Sequence, residues 1–594
     1  MAEQKPNRST PTSVAGEVEA GLWAQLRVIG NIYWISPVRN RLILLILGVF
    51  AIIIVTSAGQ VLLNRWNVPF YDALSRRDFS AFVDQLMVFF AIASVLLVLN
   101  VAQTWLNQMA RLKLREGLTR DLVGEWLQPR RAFKLSNSGP IGVNPDQRLH
   151  EDARHLAEMS TDLGFGLLQA SILLISFVGV LWTFSSGFVF NVAGYSFSIP
   201  GYMVWAAFLY AGIASWISWL VGRRLIHLNA DRYQKESELR FSLMRVNEHI
   251  DAISLYRGEA DENRRLGFDI DRLLGAIRLL VTALTQLTWV TSGYGWITIV
   301  APILVAAPVY FAGNLSFGGL MAAIGAFNQV HDALKWFVNN FGAIADWRAT
   351  LLRVTSFRQA VQATDLMNSV DQRIKFTETD SNQIVLESLK ITAPRATVRL
   401  KEKKAVVKEG ERVLITSEAG IDRTLLFRAI AGLWPWGAGT VSLPANTSIL
   451  YMPRSPYFPP GSLRGAMSYP QGEEAFSDEQ LVSALHELGL TRLESMLDFR
   501  ARWDRELSDD EQQSLAFARL KLHEPSWVVI DEALDAMEPA AHERVMKVLR
   551  NHLAKSTVVH IGREDKDEKL FAKVLHFVSD PSGHGLENEG IEGV

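Results

Sequence analysis

The sequence predicts a six-span α-helical membrane domain followed by an α/β domain. The first half of the 594 residues contains six long apolar runs, and the second half alternates short apolar strands with helices. A net charge of −2 argues against a nucleic-acid partner, and the absence of cysteine excludes disulfides and thiolate metal sites. We place the membrane domain at residues 23–357 and the α/β domain at residues 384–585.

Six apolar runs are the candidate membrane spans, since crossing the hydrocarbon core takes about 20 residues. The runs are Leu42–Leu63, Leu86–Leu106, Gly164–Phe184, Tyr202–Val221, Leu284–Phe311 and Phe317–Trp336. A large water-soluble protein with six buried helices is the alternative, and the number and length of the runs disfavour it. Basic residues concentrate in the connections after the second and fourth runs, which predicts that both termini and the α/β domain face the cytosol.

The remaining segments are polar. Residues 1–22 lack the apolar core of a signal peptide, and we expect them to be disordered. Residues 358–383 become polar before the first strand and form a predicted linker, and residues 586–594 form a tail.

The octet Ser417–Thr424 lies between a predicted strand, Arg412–Thr416, and a predicted helix, Leu425–Leu433. Strand, loop and helix are the setting of the phosphate-binding loop G-x-x-x-x-G-K-[ST]. Ser417 and Asp422 stand at the two glycine positions and Arg423 at the lysine, whereas Thr424 keeps the hydroxyl. Gly420, inside the loop, is a further candidate ligand.

Five later segments follow the octet in a fixed order. They are Gly432–Gly437, Pro453–Arg464, Leu507–Arg519, Trp527–Glu532 and Thr557–Arg563. With this series, the α/β domain resembles the nucleotide-binding cassette of an ABC transporter, and the resemblance implies the fold of a phosphate-loop NTPase.

The resemblance assigns a role to each matching residue. Asp531 and Glu532 match the magnesium-binding aspartate and the catalytic glutamate, and Thr424 would share the Mg²⁺ ion. The remaining matches are Arg454 at the glutamine that senses magnesium, Ser508, Asp509 and Asp510 in the signature L-S-G-G, and Arg563 at the switch histidine. ATP and Mg²⁺ are thus the implied cofactors, and several of their expected contacts are altered.

Asp509 and Asp510 stand where signature glycines would close over a phosphate. Two like charges 4 Å apart repel by about 4 kcal/mol at an effective dielectric constant of 20. Another interpretation is a well-capped helix, with Ser508 as its cap and the aspartates favoured by the helix dipole. We also expect Asp422 to pair with Arg423 and close the loop. Together these features predict an ATPase fold in which ATP and Mg²⁺ bind weakly or not at all, and whether it hydrolyses ATP stays open.

Four stretches of the membrane half narrow the resemblance. Asn64–Leu74, Asn144–His155, Phe241–Glu262 and Leu287–Ala307 resemble the SbmA/BacA-like branch, which is related to the peroxisomal, ABCD-type half-transporters. This resemblance implies an exporter-type membrane domain in a bacterial inner (plasma) membrane. It also implies a second half-transporter chain as partner, for which we favour a homodimer over a heterodimer, and peptides or other bulky amphipathic solutes as cargo.

Three alternatives stay open beside a transporter with an impaired cassette. They are a conventional ATP-driven ABC transporter, a proton-coupled transporter and a membrane scaffold. Asp332 and Asp346 are the candidate proton-coupling residues, because acidic groups near a span are functional candidates. Both could instead lie in water on a helical extension, and Arg348 could pair with Asp346.

Overall fold

The computed structural model describes residues 21–136, 145–186, 189–192, 195–364, 373–392, 397–418, 421–445, 447–535, 537–563 and 571–580. The predicted disorder of residues 1–22, apart from residues 21 and 22, and the predicted tail fall outside these residues. The chain forms two compact units. The helical unit comprises Met1–Trp126 and Asn144–Gln359, and the sheet unit comprises Leu127–Val143 and Ala360–Val594.

Long helices build the helical unit. In chain order they are α1 (Leu22–Ile35), α2 (Arg39–Ser75), α3 (Phe79–Trp126), the short α4 (Arg131–Ser136, counted with the sheet unit), α5 (Ala153–Ser185, preceded by a π-helical turn Gln147–Asp152), α6 (Tyr202–Glu248), α7 (Ile250–Tyr256), α8 (Glu259–Phe311), α9 (Phe317–Asn339) and α10 (Phe341–Ala363). Strands β1 (Val189–Val192) and β2 (Tyr195–Ser198) pair antiparallel between α5 and α6.

Five helices among the described residues are long and apolar enough to cross a membrane: α2, α3, α5 with its preceding turn, α6 and α8. At 1.5 Å per residue, the 53 residues of α8 extend for about 80 Å, well beyond the thickness of a bilayer. The helix α9 contains the sixth predicted span, but it is not among these five.

Small residues let α2 and α9 approach each other closely. A Cβ atom added to Gly318 would lie 2.1 Å from the carbonyl oxygen of Val68. The Gly318 N–H donates to Asp72 Oδ1 at 2.8 Å, and Asn64 Nδ2 donates to the Ala322 carbonyl at 3.0 Å. Close contacts of this kind are typical of helix pairs in membranes, and they fix an antiparallel register.

A ten-stranded sheet organises the sheet unit. Its strands are β3 (Lys375–Thr379), β4 (Gln383–Thr392), β5 (Thr397–Leu400), β6 (Lys404–Lys408), β7 (Arg412–Ser417), β8 (Gly437–Pro444), β9 (Ile449–Met452), β12 (Trp527–Asp531), β13 (Thr557–Ile561) and β14 (Lys573–Ser579). The order is β3-β8-β4-β5-β14-β7-β13-β12-β9, and β6 pairs with β4. The short strands β10 (Gly461–Ser462) and β11 (Arg500–Ala501) pair separately.

Helices surround this sheet and complete two apolar cores. They are α11 (Arg423–Ile430), α12 (Leu463–Ser468), α13 (Asp478–Glu487), α14 (Trp503–Glu506), α15 (Asp509–His523) and α16 (Pro539–Asn551). The aromatic ring of Phe133, on α4, lies 5.9 Å from the Arg428 guanidinium of α11.

The parallel strands β7, β13 and β12 bring three chain segments to one edge of the sheet. In register, Ile415 of β7 lies beside Ile561 of β13, which lies beside Asp531 of β12. Every residue of β12 and β13 is buried, which fits their mostly apolar sequences. The loops that leave the carboxyl ends of these strands therefore meet, as they do at the ligand sites of other open α/β sheets.

Candidate functional site

The loop after β7 ends at a side chain that caps the next helix. Asp422 is the N-cap of α11, and its Oδ1 accepts a hydrogen bond of 3.0 Å from the Thr424 N–H. A bound phosphate would need such N–H groups at the start of the helix. The structure thus places a carboxylate at the position that the sequence analysis identified. Gly420 lies outside the described residues.

Arg423 reaches across the site to the catalytic position of the family. Its Nη1 lies 2.5 Å from Glu532 Oε1, and its Nε donates to Ser417 Oγ at 2.8 Å. The expected pairing of Arg423 with Asp422 is therefore wrong. Asp422 turns toward the helix N-terminus, whereas the longer Arg423 side chain extends to the end of β12.

A second arginine contacts the same carboxylate. Arg454 Nη1 lies 3.3 Å from Glu532 Oε2, so each carboxylate oxygen of Glu532 has a guanidinium partner. The Arg423 and Glu532 side chains are 16% and 19% exposed, whereas Arg454 is 66% exposed. Because water screens exposed pairs, the inner contact with Arg423 contributes most. We call Arg423, Glu532 and Arg454 the arginine–glutamate triad.

The backbone of Glu532 is also unusual. Its φ of +51° lies in the left-handed region, which is costly for a residue with a side chain. Its N–H donates to the Ile561 carbonyl at 2.9 Å, so the neighbouring strand holds this conformation. The turn aims the Glu532 carboxylate at the two arginines.

Asp531 and Thr424 meet beside the triad. Asp531 is 1% exposed, and burial raises the pKa of its carboxyl group to about 6, although a hydrogen bond with the Thr424 side chain lowers the pKa in part. Among the described residues, Asp531 Oδ1 has no hydrogen-bond partner. A buried oxygen without a partner beside a hydroxyl fits a hydrated Mg²⁺ ion, which needs few protein ligands when waters and phosphates supply the rest.

The signature segment forms the capped start of α15, as the sequence predicts. Ser508 and Glu511 form a capping box: Ser508 Oγ accepts from the Glu511 N–H at 3.4 Å, and Glu511 Oε2 accepts from the Ser508 N–H at 3.0 Å. Asp509 and Asp510 occupy the first turn, and Asp510 Oδ1 accepts from the Glu538 N–H at 3.2 Å. Arg492 holds the Glu511 carboxylate with two contacts, of 2.6 and 2.7 Å.

Arg563 is tied to the site by its backbone. Its N–H donates to Asp535 Oδ2 at 2.9 Å. Asp535 Oδ1 lies 3.8 Å from His560 Nε2. Burial raises the pKa of Asp535 and lowers the pKa of His560 to about 4, so this histidine is neutral at pH 7. The sequence analysis did not identify Asp535, His560 or Arg492 as part of this site. Of the three, only Asp535 could have been found from the sequence, because it follows the Asp531-Glu532 pair closely.

The two acidic candidates of the helical unit lie on different helices. Asp332 is exposed on α9. Asp346, on α10, has its Oδ2 2.8 Å from His155 Nε2, and its side chain is 52% exposed. The alternative in which Arg348 pairs with Asp346 is not what the structure has, because the Arg348 guanidinium donates to Gln25 Oε1 at 2.6 Å.

The combination of a helical unit that has five helices long and apolar enough to cross a membrane with an α/β sheet unit is similar to that of ABC transporter proteins. Residues 31–311 match the family model of the ABC transporter transmembrane region 2. The chain is also similar to members of the ABC transporter D family.

Three relatives illustrate this homology over nearly the whole chain. The inner membrane ABC transporter ATP-binding protein YddA of Escherichia coli (strain K12) is 26% identical over 90% of this chain and 93% of its own length. The uncharacterized ABC transporter ATP-binding protein sll0182 of Synechocystis is 29% identical, over 83% and 74%. ABC transporter D family member 2, chloroplastic, of Arabidopsis thaliana is 25% identical, over 98% and 89%.

Proposed function

We propose that this chain is a half-transporter of a bacterial inner membrane that moves peptides or other bulky amphipathic solutes, and that its cassette hydrolyses ATP weakly or not at all. The arginine–glutamate triad is the observation that carries the second part. A general base must be free to accept a proton from the attacking water. In the triad, both oxygens of Glu532 contact guanidinium groups.

The charges around the loop support the same proposal. Arg423 replaces the compact lysine that would reach the phosphates, and its planar guanidinium is already engaged by Glu532 and Ser417. Asp422 occupies the helix N-terminus with a negative charge. A nucleotide would have to displace both side chains before its phosphates could bind, and this lowers its affinity.

The magnesium ligands are the best preserved part of the site. Thr424 and Asp531 would hold Mg²⁺, and the ion would neutralise phosphate charge when nucleotide binds. Burial raises the pKa of Asp531 to about 6, so a proton competes with Mg²⁺ for this carboxylate as the pH falls below about 6. We therefore propose weak binding of ATP and Mg²⁺, with Arg454, Ser508, Asp509, Asp510 and Arg563 at the nucleotide positions.

The membrane arrangement completes the proposal. We assign α9 as the sixth span, place both termini and the cassette in the cytosol, and favour a homodimer of the SbmA/BacA-like branch. The relatives support a multi-pass membrane protein, and half-transporters of this family generally work as dimers in the bilayer. The domain bounds 23–357 and 384–585, the linker 358–383 and the tail stay predictions.

A conventional ATP-driven transporter is the second candidate. The juxtaposition of Thr424 and Asp531 favours it, as do the names of relatives that are called ATP-binding proteins. A proton-coupled transporter or a membrane scaffold is the third, and Asp332 and Asp346 remain its candidate residues. Uptake that is sensitive to an uncoupler and reduced by Asp346→Asn would favour proton coupling through Asp346.

ATPase turnover of the purified full chain in lipid, with Mg²⁺, tests the proposal. We expect little turnover, and the same low rate in Glu532→Gln. Glu543→Gln, at an exposed glutamate of α16, is the matched control. Robust turnover that Glu532→Gln abolishes and Glu543→Gln preserves would reject an impaired cassette. Titration with a fluorescent ATP analogue separates weak binding from none.

A further inference from the structure

Several buried side-chain oxygen atoms of the helical unit lack a hydrogen-bond partner. Among the described residues, this is true of Thr56 Oγ1, Gln60 Oε1 and Asn64 Oδ1 on α2, of Asn328 Oδ1 on α9, and of Asn107 Oδ1 on α3. A buried polar atom without a partner costs several kcal/mol within a bilayer. Polar groups inside membrane segments are functional candidates for the same reason.

The three α2 residues follow one another along the helix at intervals of four positions. Each interval corresponds to about 6 Å of rise. One water molecule with two hydrogen bonds of about 2.8 Å spans such a gap between oxygen atoms. The spacing therefore suits ordered water molecules, one between each pair of successive side chains.

The register of α9 adds a side chain from the opposite helix. Asn64 contacts Ala322, and Asp72 contacts Gly318, so α9 runs antiparallel to α2. A Cβ atom added to Gly325 of α9 would lie 2.8 Å from Asn64 Nδ2, so Asn328, three residues further along α9, comes about level with Gln60. The two helices thus contribute polar atoms at the same depth.

Polar residues of α3 extend this series of polar side chains toward the first residues of α2. A Cβ atom added to Gly59 would lie 2.7 Å from Leu96, and one added to Gly48 would lie 3.3 Å from Leu106. This register places Asn107 level with Gly48, and Gln103 between Gly48 and Thr56. Gln103 Nε2 donates to Gln169 Oε1 of α5 at 3.0 Å, so a polar contact also joins α3 and α5.

We call this series of residues the polar lane and define it by Asn64, Gln60, Asn328, Thr56, Gln103 and Asn107. The helices α2 and α5 each pack against both α3 and α9. Between the levels of Asn64 and Gly48 the lane covers about 24 Å, most of the roughly 30 Å hydrocarbon core. Charged groups lie beyond both ends: Asp72 past Asn64, and the Arg111–Asp162 ion pair past Asn107.

We propose that the polar lane holds a file of water molecules and conducts protons through the helical unit. An excess proton passes from one water to the next, and each acceptor oxygen keeps a water in place without titrating. No covalent bond to the protein forms in this transfer. The inference goes beyond the proposed function, because this conduction requires neither nucleotide nor cargo.

Proton entry into vesicles tests the lane. The full chain is reconstituted in liposomes that enclose a pH-sensitive dye, and a potassium potential is applied with valinomycin, without nucleotide or cargo. The test variant Thr56→Val/Gln60→Met keeps the side-chain volumes and removes two water partners. We expect vesicles with the wild-type protein to acidify faster than protein-free vesicles. In the double variant, this protein-dependent rate should fall about tenfold or more.

A control variant outside the lane guards against a folding artefact. Thr285→Val is the matched control, because Thr285 is exposed and donates to the carbonyl of Val281 on its own helix. Thr285→Val should conduct like the wild type. Wild-type rates equal to protein-free vesicles would overturn the proposal, and so would an unchanged rate in the double variant. A current carried by sodium or potassium at constant pH would also overturn it.

The outcome is independent of the ATPase measurement. Robust ATP turnover would reject an impaired cassette and leave the proton rates unaffected. Absent proton conduction would reject the lane and leave the arginine–glutamate triad as it is.

Discussion

In the sheet unit, several charged side chains at the motif positions have partners within the unit. Glu532 lies between Arg423 and Arg454, Asp422 caps α11, and Asp510 accepts from a backbone N–H. In the helical unit, by contrast, Thr56 and four amide side chains keep buried oxygen atoms without a partner among the described residues. At the motif positions most charged groups are thus paired, with the buried Asp531 Oδ1 as an exception, whereas the helical unit keeps several buried oxygen atoms unpaired.

This difference has a physical meaning. A paired charge stabilises the fold and must give up its partner before it can bind a ligand, whereas an unpaired buried atom gains free energy when a ligand arrives. Under our proposals, the triad therefore opposes nucleotide binding, and the polar lane favours water. Four substitutions test this contrast, two of them on charged groups and two on hydroxyl groups.

The largest effect is expected for Glu532→Ala. It leaves the 16%-exposed guanidinium of Arg423 without its carboxylate, and breaking a mostly buried pair costs about 3 kcal/mol of unfolding free energy. Urea unfolding of the full chain in lipid, followed by tryptophan fluorescence, measures the change. Glu543→Ala on α16 is the control and should stay within about 0.5 kcal/mol of the wild type. An undiminished unfolding free energy in Glu532→Ala would mean that the triad is not structural.

Asp531→Asn should change the pH dependence of stability. Burial raises the folded pKa of Asp531 to about 6, above its unfolded value of about 3.9. Between these values the folded state binds more protons, so the stability of the wild type falls as pH rises from 4 to 6. In magnesium-free buffer the variant should be more stable than the wild type by about 2 kcal/mol at pH 7 and equal to it near pH 4.

His560 acts in the opposite direction, and it is present in both proteins. Burial lowers its pKa to about 4, so its contribution to stability is lost as pH falls from about 6.5 through 4. Because both proteins contain His560, its contribution cancels when the unfolding free energies of the wild type and Asp531→Asn are subtracted. A difference that does not vary with pH would show that Asp531 is ionised in both states.

Ser508→Ala tests the capped signature helix. It removes the side chain that accepts from the Glu511 N–H, and the loss of an N-cap costs about 1 kcal/mol. The same unfolding assay measures it, and Ser508→Asn, which retains a capping oxygen, should recover most of the loss. If the serine served phosphate binding alone, Ser508→Ala would leave stability unchanged.

The smallest effect is expected for Thr56→Val in the polar lane. If water occupies the lane, the hydroxyl and its water are lost together, and the free energy of unfolding should change by less than about 0.5 kcal/mol. A gain of about 1 kcal/mol or more would show that the Thr56 hydroxyl is dry and unpaired. This outcome would erase the contrast between the two units.

The sequence by itself determined the division into a membrane part and a cassette part, because apolar runs and an ordered series of motifs are local properties of the chain. It also predicted the capped start of α15 and the carboxylate at the start of α11, since caps depend on neighbouring residues. The helix α9 shows the limit of this approach: its polar residues keep it outside the five apolar helices, although the sequence predicted a span there.

Only the tertiary structure decided which charges pair. Arg423 and Glu532 are 109 positions apart and meet because β7 and β12 end at the same edge of the sheet. His155 of α5 and Asp346 of α10 are 191 positions apart and also pair. Sequence proximity had suggested Arg348 as the partner of Asp346, and Arg348 contacts Gln25 instead. The polar lane likewise depends on the register between α2, α3 and α9, which no single helix specifies. Long-range pairing depends on the relative placement of whole elements, and local sequence patterns do not encode that placement.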